Sequence, residues 1–257
     1  MRQVAAYKYL KSTHNQRPRL IHKRFYQIAR FSTSSLVLAA LLASIFSFLL
    51  ITPTATATAL TWDGGGGADT NWNTCANWTT DTCPTTTDTV TFDATSTNNA
   101  TINVDVTVAA MSINSGYTGT IYQRTNNDLT VNGDFTQAVG TFTGETSTTT
   151  VSNGNFTLSG GTFNAATTTV FSGGLDRTVD VAASATFEKL KVDKGGSRLS
   201  LSSDDSLIVT GTLTLTDGSL GSSSTTAKIL ARGNITQAST FDGGAAYLDF
   251  DGAGAQT

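Results

Sequence analysis

At 257 residues the chain is long enough for one or two domains, yet with 14% charged residues and 24 glycines its composition is not that of an ordinary globular protein. Its formal net charge of −3 hides a division: residues 1–33 carry eight Lys and Arg and no acid, whereas all nineteen Asp and Glu lie beyond residue 60 against eight Lys and Arg, a balance of −11 there. Both histidines, His14 and His22, lie in the basic segment, which excludes His-based triads and His metal sites from the rest of the chain.

The basic segment is followed by Leu36 to Ile51 without a charge, and then by small residues. That order reads as an export signal, with Ala55-Thr56-Ala57 and Ala57-Thr58-Ala59 as cleavage sites. The alternative is a retained membrane-anchor helix over residues 34–52, with its basic side in the cytoplasm. Either way, residues 1–59 form a targeting region and the remainder is expected at the cell surface or outside the cell. A nucleic-acid role for the basic arm is not expected, because the arm adjoins the membrane-directed segment.

Residues 60–99 form a second region, rich in Trp and Cys and without repeats. It holds all three tryptophans, Trp62, Trp72 and Trp78, and both cysteines, Cys75 and Cys83. An exported chain meets an oxidising environment, so a Cys75–Cys83 disulfide is expected. Two thiols alone make a poor zinc site. The clustered indoles have two readings. They cover the open first coil of a stacked fold, or they present flat rings to a sugar. The sequons at Asn77, Asn99, Asn155 and Asn234 are what an Asn- and Thr-rich chain produces by chance.

From residue 100 to 257 the chain repeats itself. LTVNGDFTQAVGTFTG (129–144) returns 21 residues later as TVSNGNFTLSGGTFNA (150–165), mapping Gly133 to Gly154, Phe135 to Phe156, Gly140 to Gly161 and Phe142 to Phe163. Looser returns follow at 208–221 and 230–243, and a longer echo at an offset of 79 sets Phe156 on Ile235 and Phe171 on Phe250. Each unit alternates apolar and polar residues, as in Leu129-Thr130-Val131, and then turns at Asn-Gly, Gly-Gly or Asp-Gly. Thr suits the solvent side of a strand. Short units that cannot bury an apolar face alone stack, so the expected fold is all-β, a right-handed parallel β-helix or β-solenoid of about seven to nine short coils at roughly 4.8 Å. A β-sandwich is the competing fold. If 249–257 repeats 170–178, Thr257 falls in the middle of a unit.

Trp62-Asp63-Gly64, Asn71-Trp72, Asn77-Trp78, Pro84 and Asp88-Thr89-Val90-Thr91-Phe92, with Phe187-Glu188-Lys189-Leu190-Lys191-Val192 and Leu207 to Leu213 further on, carry a resemblance. The run resembles bacterial surface proteins with β-strand repeats and the Gly- and Thr-rich repeat regions associated with autotransporters. That resemblance covers residues 60–257 and implies an exported β-helical surface protein. No membrane β-barrel accompanies it, which leaves the autotransporter export route without support.

No catalytic constellation is visible, and no cofactor is expected. Glu145 and Glu188 have no evident partner, and Asp204-Asp205, Asp176-Arg177 and Asp180 read as turn residues whose side chains bond their own backbone before they read as a polysaccharide-cleaving pair. Asp-Gly pairs at 63, 217, 242 and 251 raise a calcium question, but the tandem nonapeptide calcium repeat is missing. The expected function is a non-enzymatic structural or adhesin-like surface module, with surface glycans or other extracellular proteins as partners. The alternative is a carbohydrate-binding or polysaccharide-degrading β-helix protein.

Overall fold

The computed structural model describes residues 56–254. The signal or anchor expected at 34–52, with His14 and His22, lies outside the described residues, among which no helix is long and apolar enough to cross a membrane.

The described residues open in β1 (Ala59–Thr61), pass through a long loop with two 3-10 turns, Cys75–Asn77 and Thr79–Asp81, and return in β2 (Thr89–Phe92) and β3 (Ala100–Ile102). Coils of three strands follow. The first holds β4 (Val106–Val108), β5 (Ala110–Ile113) and β6 (Thr120–Gln123), and the second β7 (Leu129–Val131), β8 (Phe135–Gln137) and β9 (Thr141–Gly144). The next pair are β10 (Thr148–Ser152), β11 (Phe156–Leu158) and β12 (Thr162–Asn164), then β13 (Thr168–Ser172), β14 (Arg177–Val181) and β15 (Ser184–Phe187). Beyond them β16 (Lys189–Leu201) and β18 (Leu213–Ser222) each run across two faces, alternating with β17 (Ser206–Val209) and β19 (Lys228–Ala231). Last come β20 (Ile235–Gln237), β21 (Phe241–Gly244) and β22 (Tyr247–Phe250).

Paired strands run parallel throughout, and the result is a β-solenoid with three faces. One face stacks β4, β7, β10, β13, the first halves of β16 and β18, and β20. A second stacks β1, β2, β5, β8, β11, β14, the later halves of β16 and β18, and β21. The third is broken into two four-stranded sheets, β3-β6-β9-β12 and β15-β17-β19-β22. Every strand pair among the described residues is parallel, which sets aside the antiparallel β-sandwich.

The 21-residue repeat is one coil. Phe135 pairs with Phe156 and Phe142 with Phe163, and both pairs stack, with ring centroids 5.2 Å and 5.3 Å apart. Alternation does the rest: Phe135, Phe142, Phe156, Phe171 and Phe187 are buried, and each contributes about 1.5–3 kcal/mol by leaving water. The 79-residue echo is not a structural period. Phe156 lies on the second face and Ile235 on the first, while Phe171 lies on the first and Phe250 on the third. What the echo preserves is corner chemistry. Gly133 and Gly154 stack where the chain turns from the first face to the second, and Gly211 and Gly233 stack where it turns from the third to the first.

Corner carboxylates and amides tie the coils together. Asp105 Oδ1 accepts from Asp128 N at 2.9 Å, and Asp128 Oδ1 from Thr148 N at 2.8 Å. At the next corner Asp134 Oδ1 accepts from Asn155 N at 2.8 Å, and Asn155 Oδ1 from Thr178 N at 3.0 Å. A side chain one coil away thus satisfies the amide that opens the next strand.

Candidate functional site

The loop from Trp62 to Asp88 closes the first coil. Trp62 and Trp78 form an antiparallel bridge, and Asn71 forms a parallel bridge to Thr101 that extends the third face upward. The three indoles pack edge-to-face on one another, with centroids 5.2 Å apart for Trp62–Trp78 and 4.6 Å for Trp72–Trp78, and all lie over Phe92. Their polar edges turn inward as well: Trp78 Nε1 donates to Trp72 O at 2.9 Å and Trp62 Nε1 to Asn98 O at 3.2 Å. Trp62 and Trp78 are 0% exposed and Trp72 is 3%. Trp62 and Trp78 are thus enclosed, while Trp72 reaches the wall of a groove of about 290 Å³ that it shares with Pro84 and Val104.

Asn77 is the hinge of this loop, and its burial was not legible from the sequence. Its Nδ2 donates to Asp69 O and Asn71 O at 2.8 Å and 3.0 Å, and its Oδ1 accepts from Gly66 N at 2.9 Å. A buried, fully engaged amide cannot carry a glycan, which removes the sequon at Asn77. Cys75 and Cys83 are joined by a disulfide across eight residues that encloses Asn77 and Trp78.

Asp88 anchors the loop to the first coil. Its Oδ1 accepts from Thr58 N at 2.8 Å, and its Oδ2 from Thr85 N and Thr85 Oγ1 at 2.8 Å and 2.6 Å. Burial alone would raise this carboxyl, but the donors on Thr85 and Thr58 outweigh it and hold the group below the usual aspartate value.

The acidic candidates do not converge. Asp176 Oδ1 accepts from Arg198 N at 2.8 Å, and Asp205 Oδ2 from Val181 N at 2.9 Å, each on a neighbouring coil. This corrects the expectation that these side chains bond their own backbone; that local pattern holds instead at Asp63, whose Oδ1 accepts from Gly65 N at 3.0 Å. Burial raises the Asp205 carboxyl above the ordinary range, against the Val181 hydrogen bond. Asp180 is exposed, and Asp204, also exposed, accepts from Thr226 Oγ1 on the neighbouring coil. Glu145 does have partners: Arg124 Nη1 at 2.7 Å, and Thr125 N and Oγ1 at 3.0 Å each. The Arg124 hydrogen bond leads in holding Glu145 below its usual value. Glu188 is exposed. Among the described residues no group of three or more His, Cys, Asp or Glu is placed to hold a metal, the Asp-Gly corners at 63, 217, 242 and 251 included.

Two features were invisible in the sequence. One is Lys194, buried at the corner between the first two faces, with Nζ donating to Ser172 O at 2.8 Å. Burial, and next the Arg177 charge, lower its pKa against the attraction of Asp176. The other is a groove of about 310 Å³ between β12 and β15, where the third face is broken.

No protein-family model, curated protein or solved structure matches this chain. The parallel solenoid agrees with the architecture of β-helical repeat proteins without singling out a family.

Proposed function

We propose that this chain is a non-enzymatic structural module of the cell surface or extracellular space, acting as a spacer or adhesin-like rod. The observation that carries the reading is the interior. On the first two faces, ladders of buried side chains run from coil to coil without interruption, so length is built by repeating one self-stacking unit. Asp105, Asp128, Asp134 and Asp176 tie coils together, which is a structural use of groups that a hydrolase would aim at a common point. Export follows from the basic and apolar order of residues 1–59, and the Cys75–Cys83 disulfide is the state an oxidising compartment favours. Surface glycans and other extracellular proteins are the partner classes.

Protease shaving of intact cells that express the full chain tests the location, and a reducing-end assay over a polysaccharide panel tests for turnover. Release of fragments spanning 60–254 with no new reducing ends is expected. Protection of the whole chain inside the cell, or measurable turnover, would overturn the reading.

A further inference from the structure

The break in the third face has a physical cause. Two hydrogen bonds pin the coils on either side of it, Ala182 N to Leu158 O at 2.8 Å and Lys189 N to Thr167 O at 3.0 Å. Between these pins the upper coil runs from Leu158 to Thr167 and the lower from Ala182 to Lys189, so the upper path is the longer. The excess cannot pair. β12 loses the half-buried outer positions that β9 keeps, and Thr162 and Asn164 become exposed where Thr141 and Thr143 are not. The aromatic ladder steps down at the same place: Phe142 and Phe163 stack 5.3 Å apart at 13°, whereas Phe163 and Phe187 stand 6.4 Å apart at 60°. Ala185, opposite the groove from Phe163, is too small to fill the gap.

What results is an opening between the two sheets of the third face. Phe163, Leu158 and Ala185 form its apolar depth, and Asn164, Ser184 and Thr186 stand on its polar rim. β12 and β15 also leave their facing main-chain groups without ladder partners. The lining holds no charged residue, so a charged ligand would lose its hydration without a counter-charge. Because both ends are pinned, an extended peptide cannot run through as an added strand. The occupant must be compact, neutral, apolar on a face and rich in hydrogen-bonding groups at its edge.

We propose that this opening binds a single neutral pyranose ring, as a free monosaccharide or as the terminal residue of a surface glycan. The ring's C–H face packs against Phe163 and Ala185, while its hydroxyls bond the rim side chains and the unpaired main chain. The inference supplies a ligand class for the adhesin-like reading and rests on that reading only for its biological setting.

Saturation-transfer NMR of the full chain with methyl glycosides of glucose, galactose, mannose and N-acetylglucosamine tests it, with cyclohexanol as an apolar ring control. At least one glycoside is expected to bind saturably in the millimolar range, while cyclohexanol does not. Ala185→Leu fills the depth and Thr186→Val removes a rim hydroxyl. Both should weaken binding tenfold or more, and Thr186→Val should do so without moving the melting temperature. Absence of saturable binding, equal binding of cyclohexanol, or binding unaffected by Thr186→Val would each overturn the site. All three outcomes leave the surface location untouched, since protease shaving reads that separately.

Discussion

Thr149 Oγ1 donates to Gln123 Oε1 at 2.6 Å across the solenoid interior, from the first face to the third. The amide is completed by Gln123 Nε2, which donates to Asn127 O at 2.9 Å and Thr148 O at 2.8 Å. One coil further on, Thr169 is the register partner of Thr149 and equally buried, but its hydroxyl has no hydrogen-bond partner. The same residue type at the same rung position therefore has opposite energetic meaning. Thr149→Val orphans a buried carbonyl and should destabilise by about 1–3 kcal/mol. Thr169→Val removes an unpaired hydroxyl and should be neutral or stabilising. Urea unfolding of the two variants checks the contrast, and equal losses would refute it.

Gly154 lies directly against Gly133 at a corner, and a Cβ added to Gly154 would overlap the Gly133 carbonyl oxygen. The obstacle is backbone, so no rotamer can relieve it. Gly154→Ala should cost about 1–3 kcal/mol or more by forcing the two coils apart. Gly174→Ala, where a Cβ meets nothing within 4 Å, should change stability little. Thermal melts of the pair decide the point.

How much of this was legible beforehand follows from which interactions are local in the repeat. The register of Phe135 on Phe156 is written in a 21-residue echo, because each coil must place a large apolar side chain at the same height to fill the same space. The Cys75–Cys83 bond could be read because no other cysteine competes. The role of the corner acids could not. Whether Asp176 bonds its own turn or Arg198 N depends on coil lengths that vary along the chain, and a sequence states spacing but not which turn absorbs an extra residue. The break between β12 and β15 was hidden for the same reason: an unequal path length shows only once both pinning bonds are known.

Asp88 makes the top of the fold acid-sensitive. Its pKa is lowered in the folded state, so the folded protein holds fewer protons than the unfolded chain as pH falls below the usual aspartate value. The stability it contributes is present above pH 3.8, the ordinary value, and is lost as pH drops through the depressed one. Asp88→Asn should lower stability at pH 7 and flatten the acid limb of a stability–pH curve. Parallel curves for the two proteins between pH 5 and pH 2 would remove the assignment.

Lys194 gives the same sign of pH dependence at the alkaline end, but by disfavouring its charged form where Asp88 holds its own. Its pKa is lowered, chiefly by burial, so between that depressed value and 10.5 the unfolded chain binds the proton more tightly and stability rises with pH. The Ser172 carbonyl that receives its ammonium also accepts from Asn153 N at 3.1 Å, and stays partnered without it. Lys194→Met should therefore leave stability at neutral pH unchanged or higher, and should abolish the rise toward alkaline pH. Denaturant titrations at pH 7 and pH 10 measure both effects, and a loss of stability at pH 7 would show that the ammonium is needed.

The disulfide concerns the first coil of the solenoid alone. Joining Cys75 to Cys83 closes a short loop, which stabilises by about 2–3 kcal/mol in the chain-entropy model. That loop carries Asn77, whose amide holds Asp69, Asn71 and Gly66 in place, and Trp78, which covers Phe92. Opening it should let the first coil fray. The Phe135–Phe156 and Phe142–Phe163 stacks lie on later coils and draw nothing from it. Cys75→Ser is therefore expected to lower the melting temperature and raise amide exchange over residues 60–92 while leaving exchange at 129–165 unchanged. Hydrogen-exchange mass spectrometry resolves the two regions. Uniform loss of protection along the chain would mean that the solenoid folds as one cooperative unit, with the loop as part of its nucleus and not a separable lid.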